Sequence, residues 1–219
     1  MLLPILLGLG VLALIIAVVL IHRALERART TALQQTSLTL GFNFSVEGDV
    51  DQMKALGDLP LYGLGYSRRV RNVLSSRTGA GEARIFDYRY TTGGGKRSRT
   101  WEQTVALYPR AGGRLPDFVL QPENVLLDKI YQMFGYQDID FEASPVFSAR
   151  YLLRGPDETA IRSAFTTEMR ASLEQTEGWT VEVQSGNVVI YRAAKRVKPE
   201  EMAAFLEQSQ AVLRAIAPR

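Results

Sequence analysis

Ala83-Arg84-Ile85-Phe86-Asp87-Tyr88-Arg89-Tyr90-Thr91-Thr92, then Gly93-Gly94-Gly95-Lys96, then Thr100-Trp101-Glu102-Gln103-Thr104-Val105-Ala106-Leu107-Tyr108 is the stretch that decides the fold. Successive side chains of a strand point to opposite faces, so Phe86, Tyr88 and Tyr90 share one face and Asp87, Arg89 and Thr91 the other. On the return run Trp101, Val105 and Leu107 lie on one face, with Gln103 between them. Two such runs joined by a glycine loop predict a long antiparallel hairpin.

Upstream of the hairpin, Tyr66 to Arg77 reads as one strand or a bent pair, closed by a turn at Gly79 and Gly81. Gly48 to Gly65, with Gly57, Pro60, Gly63 and Gly65, reads as a loop or an irregular edge. Phe42 to Ser45 reads as a short strand. Downstream, Ala111-Gly112-Gly113 is a turn and Asp117 to Gln121 a strand. Three strands then run into a proline–acid helix start: Phe118–Gln121 into Pro122-Glu123, Tyr151–Arg154 into Pro156-Asp157-Glu158, and Val188–Tyr191, after a basic spacer, into Pro199-Glu200-Glu201. Proline at the first helical position gives up an N–H that has no partner there, and acids in the first turn suit the positive end of the helix dipole.

The last helix, from Pro199 to about Ala217, carries one stripe of Met202, Phe205, Leu206, Ser209, Val212, Leu213 and Ile216. The middle helix starts at Pro156, carries Ile161 and Phe165, and restarts near Thr166-Thr167 with Glu168. A second hairpin joins Trp179–Gln184 to Asn187–Tyr191 through Ser185-Gly186. The fold class is therefore α+β: an antiparallel sheet with helices packed on one face, β-rich over 62–121 and helix-containing over 122–219.

Leu2 to Ile21 holds no charged residue, and about 20 apolar residues at 1.5 Å rise span a bilayer core. The run is too long for a signal-peptide core, no basic segment precedes it, and no A-x-A site follows. The reading is an uncleaved single-pass transmembrane helix over 1–21, a helical stalk over 22–41 and a soluble domain over 42–219. His22, Arg23, Arg27 and Arg29 follow the span, opposed only by Glu26. The positive-inside bias then sets the N-terminus outside and the large domain on the cytoplasmic side of the cell membrane.

The composition, 46% hydrophobic and 22% charged, is that of a globular chain. It has no cysteine and one histidine, His22. Disulfides, thiolate nucleophiles, Cys-based metal sites and Ser–His–Asp triads drop out together. Nothing in the sequence calls for a cofactor. The Gly93–Lys96 loop fails the phosphate-loop test, because Arg97 follows Lys96, Tyr90 stands where the first glycine belongs, and the loop joins two strands. Asp138, Asp140 and Glu142 alternate, so on a strand they share one face, either paired with arginines or holding Mg²⁺ or Ca²⁺ without the loop of an EF-hand. The row Phe86, Tyr88, Tyr90 and Trp101 reads as cross-strand packing.

The net charge of +3 hides an asymmetry: residues 66–114 carry +8 and residues 115–219 carry −4. Arg68, Arg69, Arg71, Lys96, Arg97 and Arg99 form the candidate contact set for an anionic membrane surface or a protein partner. Near an anionic leaflet each basic residue adds about 1 kcal/mol. No aromatic–basic RNA motif accompanies them, and nucleic acid is not an expected partner. The leading functional reading is a membrane-tethered, non-enzymatic interaction module docking through this basic hairpin region. The second is a lipid or small-ligand site in a groove between sheet and helix. The third is a carboxylate-dependent metal hydrolase. Oligomeric state is not written in the sequence.

The run Phe86–Lys96 with Gln103-Thr104-Val105, together with Leu115-Pro116-Asp117-Phe118-x-Leu120 and Leu153-x-Gly155-Pro156, resembles a family of bacterial single-pass membrane-anchored proteins with no assigned activity. The loop departs from that pattern at Gly94, where serine is expected. The resemblance covers most of the chain after Gly65. It implies a bacterial origin and a shared domain, and carries over no catalytic residue.

Overall fold

The computed structural model of the protein describes residues 2–55, 59–78, 81–123 and 138–217. Helix α1 (Leu2–Leu40) is unbroken from the apolar run into the stalk. Strand β1 (Asn43–Gly48) follows, then two short helices, α2 (Val50–Ala55) and α3 (Pro60–Gly63). The deciding stretch forms β2 (Tyr66–Thr78), β3 (Gly81–Thr92) and β4 (Arg99–Tyr108), with a short 3₁₀ turn, Gly95–Arg97, at the hairpin tip. The second half consists of β5 (Phe118–Pro122), α4 (Pro145–Arg150), β6 (Tyr151–Arg154), α5 (Glu158–Ala164), α6 (Thr167–Glu174), β7 (Thr180–Gln184), β8 (Asn187–Tyr191) and α7 (Met202–Ile216).

Among the described residues, the eight strands make one antiparallel sheet in the order β1-β2-β3-β4-β8-β7-β5-β6. The hairpin pairs without slippage from Arg84↔Leu107 to Thr92↔Arg99. The expected α+β class holds, with α4 to α7 and the second half of α1 on one face of the sheet. Their core joins Leu33 of α1 to Leu74, Ile85 and Ala106 of the sheet, Phe147 and Phe165 of the short-helix region, and Phe205, Val212 and Ile216 of α7. The opposite face is covered too, by the segment read as a loop or irregular edge. Leu59, Leu61, Tyr62 and Leu64 are fully or almost fully buried against Phe86, Tyr88, Tyr90 and Val105. Gly and Pro punctuation in 57–65 made this segment look solvated. Its alternating leucines are what the second apolar face of the hairpin needs.

Helix ends follow the local chemistry. Asp157 caps α5 by accepting from the Ala160 N–H, so that helix starts at Glu158, two residues past the proline expected to open it. Thr166 caps α6 by accepting from the Met169 N–H. Pro199-Glu200-Glu201 forms a 3₁₀ turn that leads into α7. The helix expected from Pro122-Glu123 and the turn glycine Gly79 fall outside the described residues.

One expectation is overturned. Asp138, Asp140 and Glu142 do not lie on a strand. Asp138 instead accepts from the Ile139 and Leu153 N–H groups, which ties this segment to the end of the sheet. Bonds from two backbone N–H groups are its local role, and they replace the open alternating face that a cation site needed.

Candidate functional site: a groove between the stalk and the sheet

Residues 7–21 of α1 are exposed, while Leu33 and Ser37 in its second half are buried. Between the two lies a stretch of helix, residues 22–31, that leans over β2, β3 and β4 without closing on them. The result is a groove of about 690 Å³. Its walls carry Arg23 and Arg27 from α1, Arg69 and Arg71 from β2, Arg89 from β3, and Arg196 from the spacer before α7.

The floor is an ion-pair network centred on Asp87, which is 8% exposed. Arg29 grips it with two hydrogen bonds, Nε to Oδ2 at 2.9 Å and Nη2 to Oδ1 at 2.7 Å. Asn72 Nδ2 donates to Oδ2 at 2.9 Å, Thr104 Oγ1 donates to Oδ1 at 3.1 Å, and Arg196 Nη2 lies 3.4 Å from Oδ2. Arg196 also grips Glu26 at 2.7 and 3.0 Å and reaches Glu102 at 3.1 Å. Planar bidentate guanidinium–carboxylate pairs of this kind are geometrically demanding and stronger than neutral hydrogen bonds.

Burial opposes the charge on Asp87, and the hydrogen bond and charge of Arg29, with Asn72 and Arg196, overcome it, so its carboxyl stays below the usual aspartate range. The Arg196 hydrogen bond holds Glu26 below the usual glutamate range against its own burial. Burial works against the charge of Arg196 as well. The hydrogen bonds it donates to Glu26 and the charges of the surrounding carboxylates reverse that, and its pKa is raised.

A β-bulge makes this floor possible. The β2–β3 register shifts between Arg71 and Leu74, and Asn72 sits there with φ 53°. Asparagine tolerates this left-handed conformation better than most residues. The bulge turns Asn72 inward, 2% exposed, with its amide nitrogen on Asp87 and its Oδ1 without a hydrogen-bond partner.

The three carboxylates of the groove are thus occupied by Arg29 and Arg196, and the remaining arginines are in surplus. Arg89 stands 3.8 Å from Glu102, and Arg71 Nε stands 3.4 Å from Glu47 without forming a hydrogen bond. Arg23, Arg27 and Arg69 have no carboxylate within ion-pair distance among the described residues and are exposed.

The six basic residues singled out in the sequence stand in different surroundings. Arg69 and Arg71 line the groove. Arg68 folds back on its own loop, donating to the carbonyls of Leu64, Gly63 and Gly65 at 2.9, 2.7 and 2.5 Å. Arg99 lies over the Trp101 ring at 3.9 Å, a cation–π contact. Lys96 and Arg97 stand exposed on the 3₁₀ turn of the hairpin tip. Reading the sequence alone missed Arg23, Arg27, Asn72 and Arg196 as parts of a site. The available signal was Asp87, a carboxylate facing away from the aromatic row in the middle of a long strand.

The tyrosine row expected to pack across strands does so. Tyr62 meets Tyr88 edge-on at 5.8 Å, and Tyr90 stacks on Trp101 at 6.3 Å. Tyr62, Tyr88 and Tyr90 are fully buried beneath or within the 59–64 segment. Burial pushes their hydroxyls well above the ordinary tyrosine value. Behind them Glu182, also fully buried, accepts from the Leu61 N–H at 2.9 Å and from the Tyr191 hydroxyl at 2.8 Å.

No protein-family model and no curated protein matches the chain. Among solved structures, the crystal structure of the mycobacterial trehalose monomycolate transport factor A, TtfA, is similar, with a TM-score of 0.60 at 12% identity over 88% of this chain and 98% of that one. At that identity the likeness is one of fold.

Proposed function

We propose that this chain is a single-pass membrane protein whose folded domain is a non-enzymatic interaction module, seated on the anionic face of the bilayer by its hairpin tip. The observation that carries it is the direction of β3 along α1. Leu33 and Ile85 share one core, Arg29 bonds Asp87, and Arg196 joins Glu26 to Glu102, whose register partner is Arg89. The strand therefore climbs toward the apolar half of the helix.

From Glu26 back to Ile21 is about 8 Å of helix. From Arg89 on to the tip at Gly93 is about 13 Å of strand. The tip, with Lys96, Arg97 and the nearby Arg99, thus reaches the end of the apolar run and about 5 Å beyond it along the helix. Tyr66, 47% exposed and paired with Thr91, lies beside it, where an amphipathic ring suits a membrane interface. His22, Arg23, Arg27 and Arg29 after the span favour the cytoplasmic side for the domain. The shared fold with a trehalose monomycolate transport factor is in keeping with a role beside lipid.

The absence of cysteine makes the test simple. The full chain with Ser98→Cys, spin-labelled and reconstituted in vesicles, reports the depth of the tip. The expected result is headgroup-level accessibility in phosphatidylglycerol-containing vesicles, reversed by high salt and by Lys96→Gln with Arg97→Gln. A label equally remote from neutral and anionic bilayers, and unmoved by salt, overturns the docking and directs the search to a protein partner.

A further inference from the structure

We propose that the groove between α1 and β2–β4 is a binding site for one anionic phospholipid whose headgroup carries both a phosphate and hydroxyl groups. This rests on the reading of α1 as a membrane span, and goes beyond surface docking to a defined site with a defined ligand class.

Three features of the groove set the chemistry. The first is the unspent positive charge of Arg23, Arg27 and Arg69, which converge on one cavity from the helix and from the sheet. Arginine's planar fork matches phosphate oxygens, and a phosphodiester is neutralised there without displacing any existing ion pair.

The second is Asn72. Its nitrogen is committed to Asp87, which fixes the orientation of the amide, and its buried Oδ1 has no partner. A buried acceptor without a donor costs about 1–3 kcal/mol. A phosphodiester has no proton to offer it at neutral pH, and a phosphomonoester is only partly protonated there, whereas a polyol hydroxyl always carries one. The requirement is therefore for a headgroup with a donor beyond its phosphate.

The third feature is position. The groove opens along residues 22–31, immediately after the uncharged run. A lipid in the leaflet next to α1 presents its headgroup at that height with its acyl chains still in the bilayer. A headgroup detached from a bilayer has the same charge, so chemistry alone does not separate the two sources, and the site is assigned to the membrane-resident one by its height.

The test uses the full chain in neutral detergent, where no charged bilayer surface exists, so failure of tip docking and failure of this site are read separately. Native mass spectrometry counts bound lipid after titration with phosphatidylinositol, phosphatidic acid and phosphatidylcholine. One phosphatidylinositol per chain is expected, held about tenfold or more tighter than phosphatidylcholine, with phosphatidic acid between them.

Arg23→Gln with Arg69→Gln should abolish the preference, while the charge-matched pair Arg77→Gln with Arg114→Gln should leave it intact. Melting curves of each variant confirm folding. Soluble inositol phosphate at excess should compete only weakly, because the acyl chains hold the lipid beside α1. Equal occupancy by phosphatidylcholine, or a preference that survives Arg23→Gln with Arg69→Gln in a folded protein, overturns the proposal. Full displacement by soluble inositol phosphate overturns the assignment to a lipid in favour of a soluble ligand.

Discussion

Two guanidinium groups, an amide and a hydroxyl converge on Asp87, tying α1, two strands and the spacer before α7 to one carboxylate. Asp87→Asn leaves Arg29 part-buried without its counter-ion and takes from Arg196 one of its three carboxylates, and breaking one side of a buried pair costs about 3 kcal/mol or more. Chemical denaturation should show the loss as a lower midpoint with an unchanged slope.

The same network sets the acid response. Asp87 and Glu26 titrate below their ordinary values of 3.8 and 4.5 in the folded protein. The unfolded chain therefore binds protons first as the pH falls. Their stabilisation is complete above about pH 5 and is lost as pH drops through the folded values. Melting temperature measured from about pH 7 to about pH 3 should fall in the acid range, and Asp87→Asn should flatten that fall. Of this residue's role the sequence showed only its facing: alternation put Asp87 opposite the tyrosines. Its two arginine partners come from 58 positions before it and 109 after it, beyond the reach of local spacing.

Elements separate by how much of their determination is local. The two hairpins, the capped helices α5 and α6 and the stripe of α7 were legible, because alternation, caps and period act within one element. The cover segment 59–64 was not. Its burial comes from the far face of a sheet assembled elsewhere in the chain. Glu182 fastens that cover, and Glu182→Leu takes away the acceptor of the Leu61 N–H. A loss of about 1–3 kcal/mol is expected, with amide exchange at Leu61 speeding up ahead of the strands.

Where the cover enters β2, Gly65 has φ 58°, and an added Cβ would stand 2.1 Å from the Thr91 carbonyl oxygen. Gly65→Ala therefore moves backbone, with a cost of about 2 kcal/mol or more in thermal unfolding. If the variant melts like the parent, this account of the β2 entry fails. The groove itself belongs to no element, and Asn72 reads as an ordinary strand residue until the bulge is seen.

For the whole molecule the question is where the domain begins. Residues 22–41 read as a stalk, yet Leu33 and Ser37 are as buried as the sheet they lie on. A fragment spanning 22–219 retains Glu26, Arg29 and Leu33 and should melt cooperatively. One spanning 42–219 strips the Asp87 network and about 2–3 kcal/mol of Leu33 burial, and should bind hydrophobic dyes or aggregate. A 42–219 fragment as stable as the longer one would show that the helix is merely appended.

The single helix that runs 39 residues without a break, apolar at one end and packed on the sheet at the other, would on the proposed reading act as a mast. With its first half in a bilayer, the domain would keep one height and turn only about the bilayer normal instead of tumbling. Its encounters are then those of a flat world. Whatever it meets arrives by sliding sideways in the membrane or by landing from one side of it.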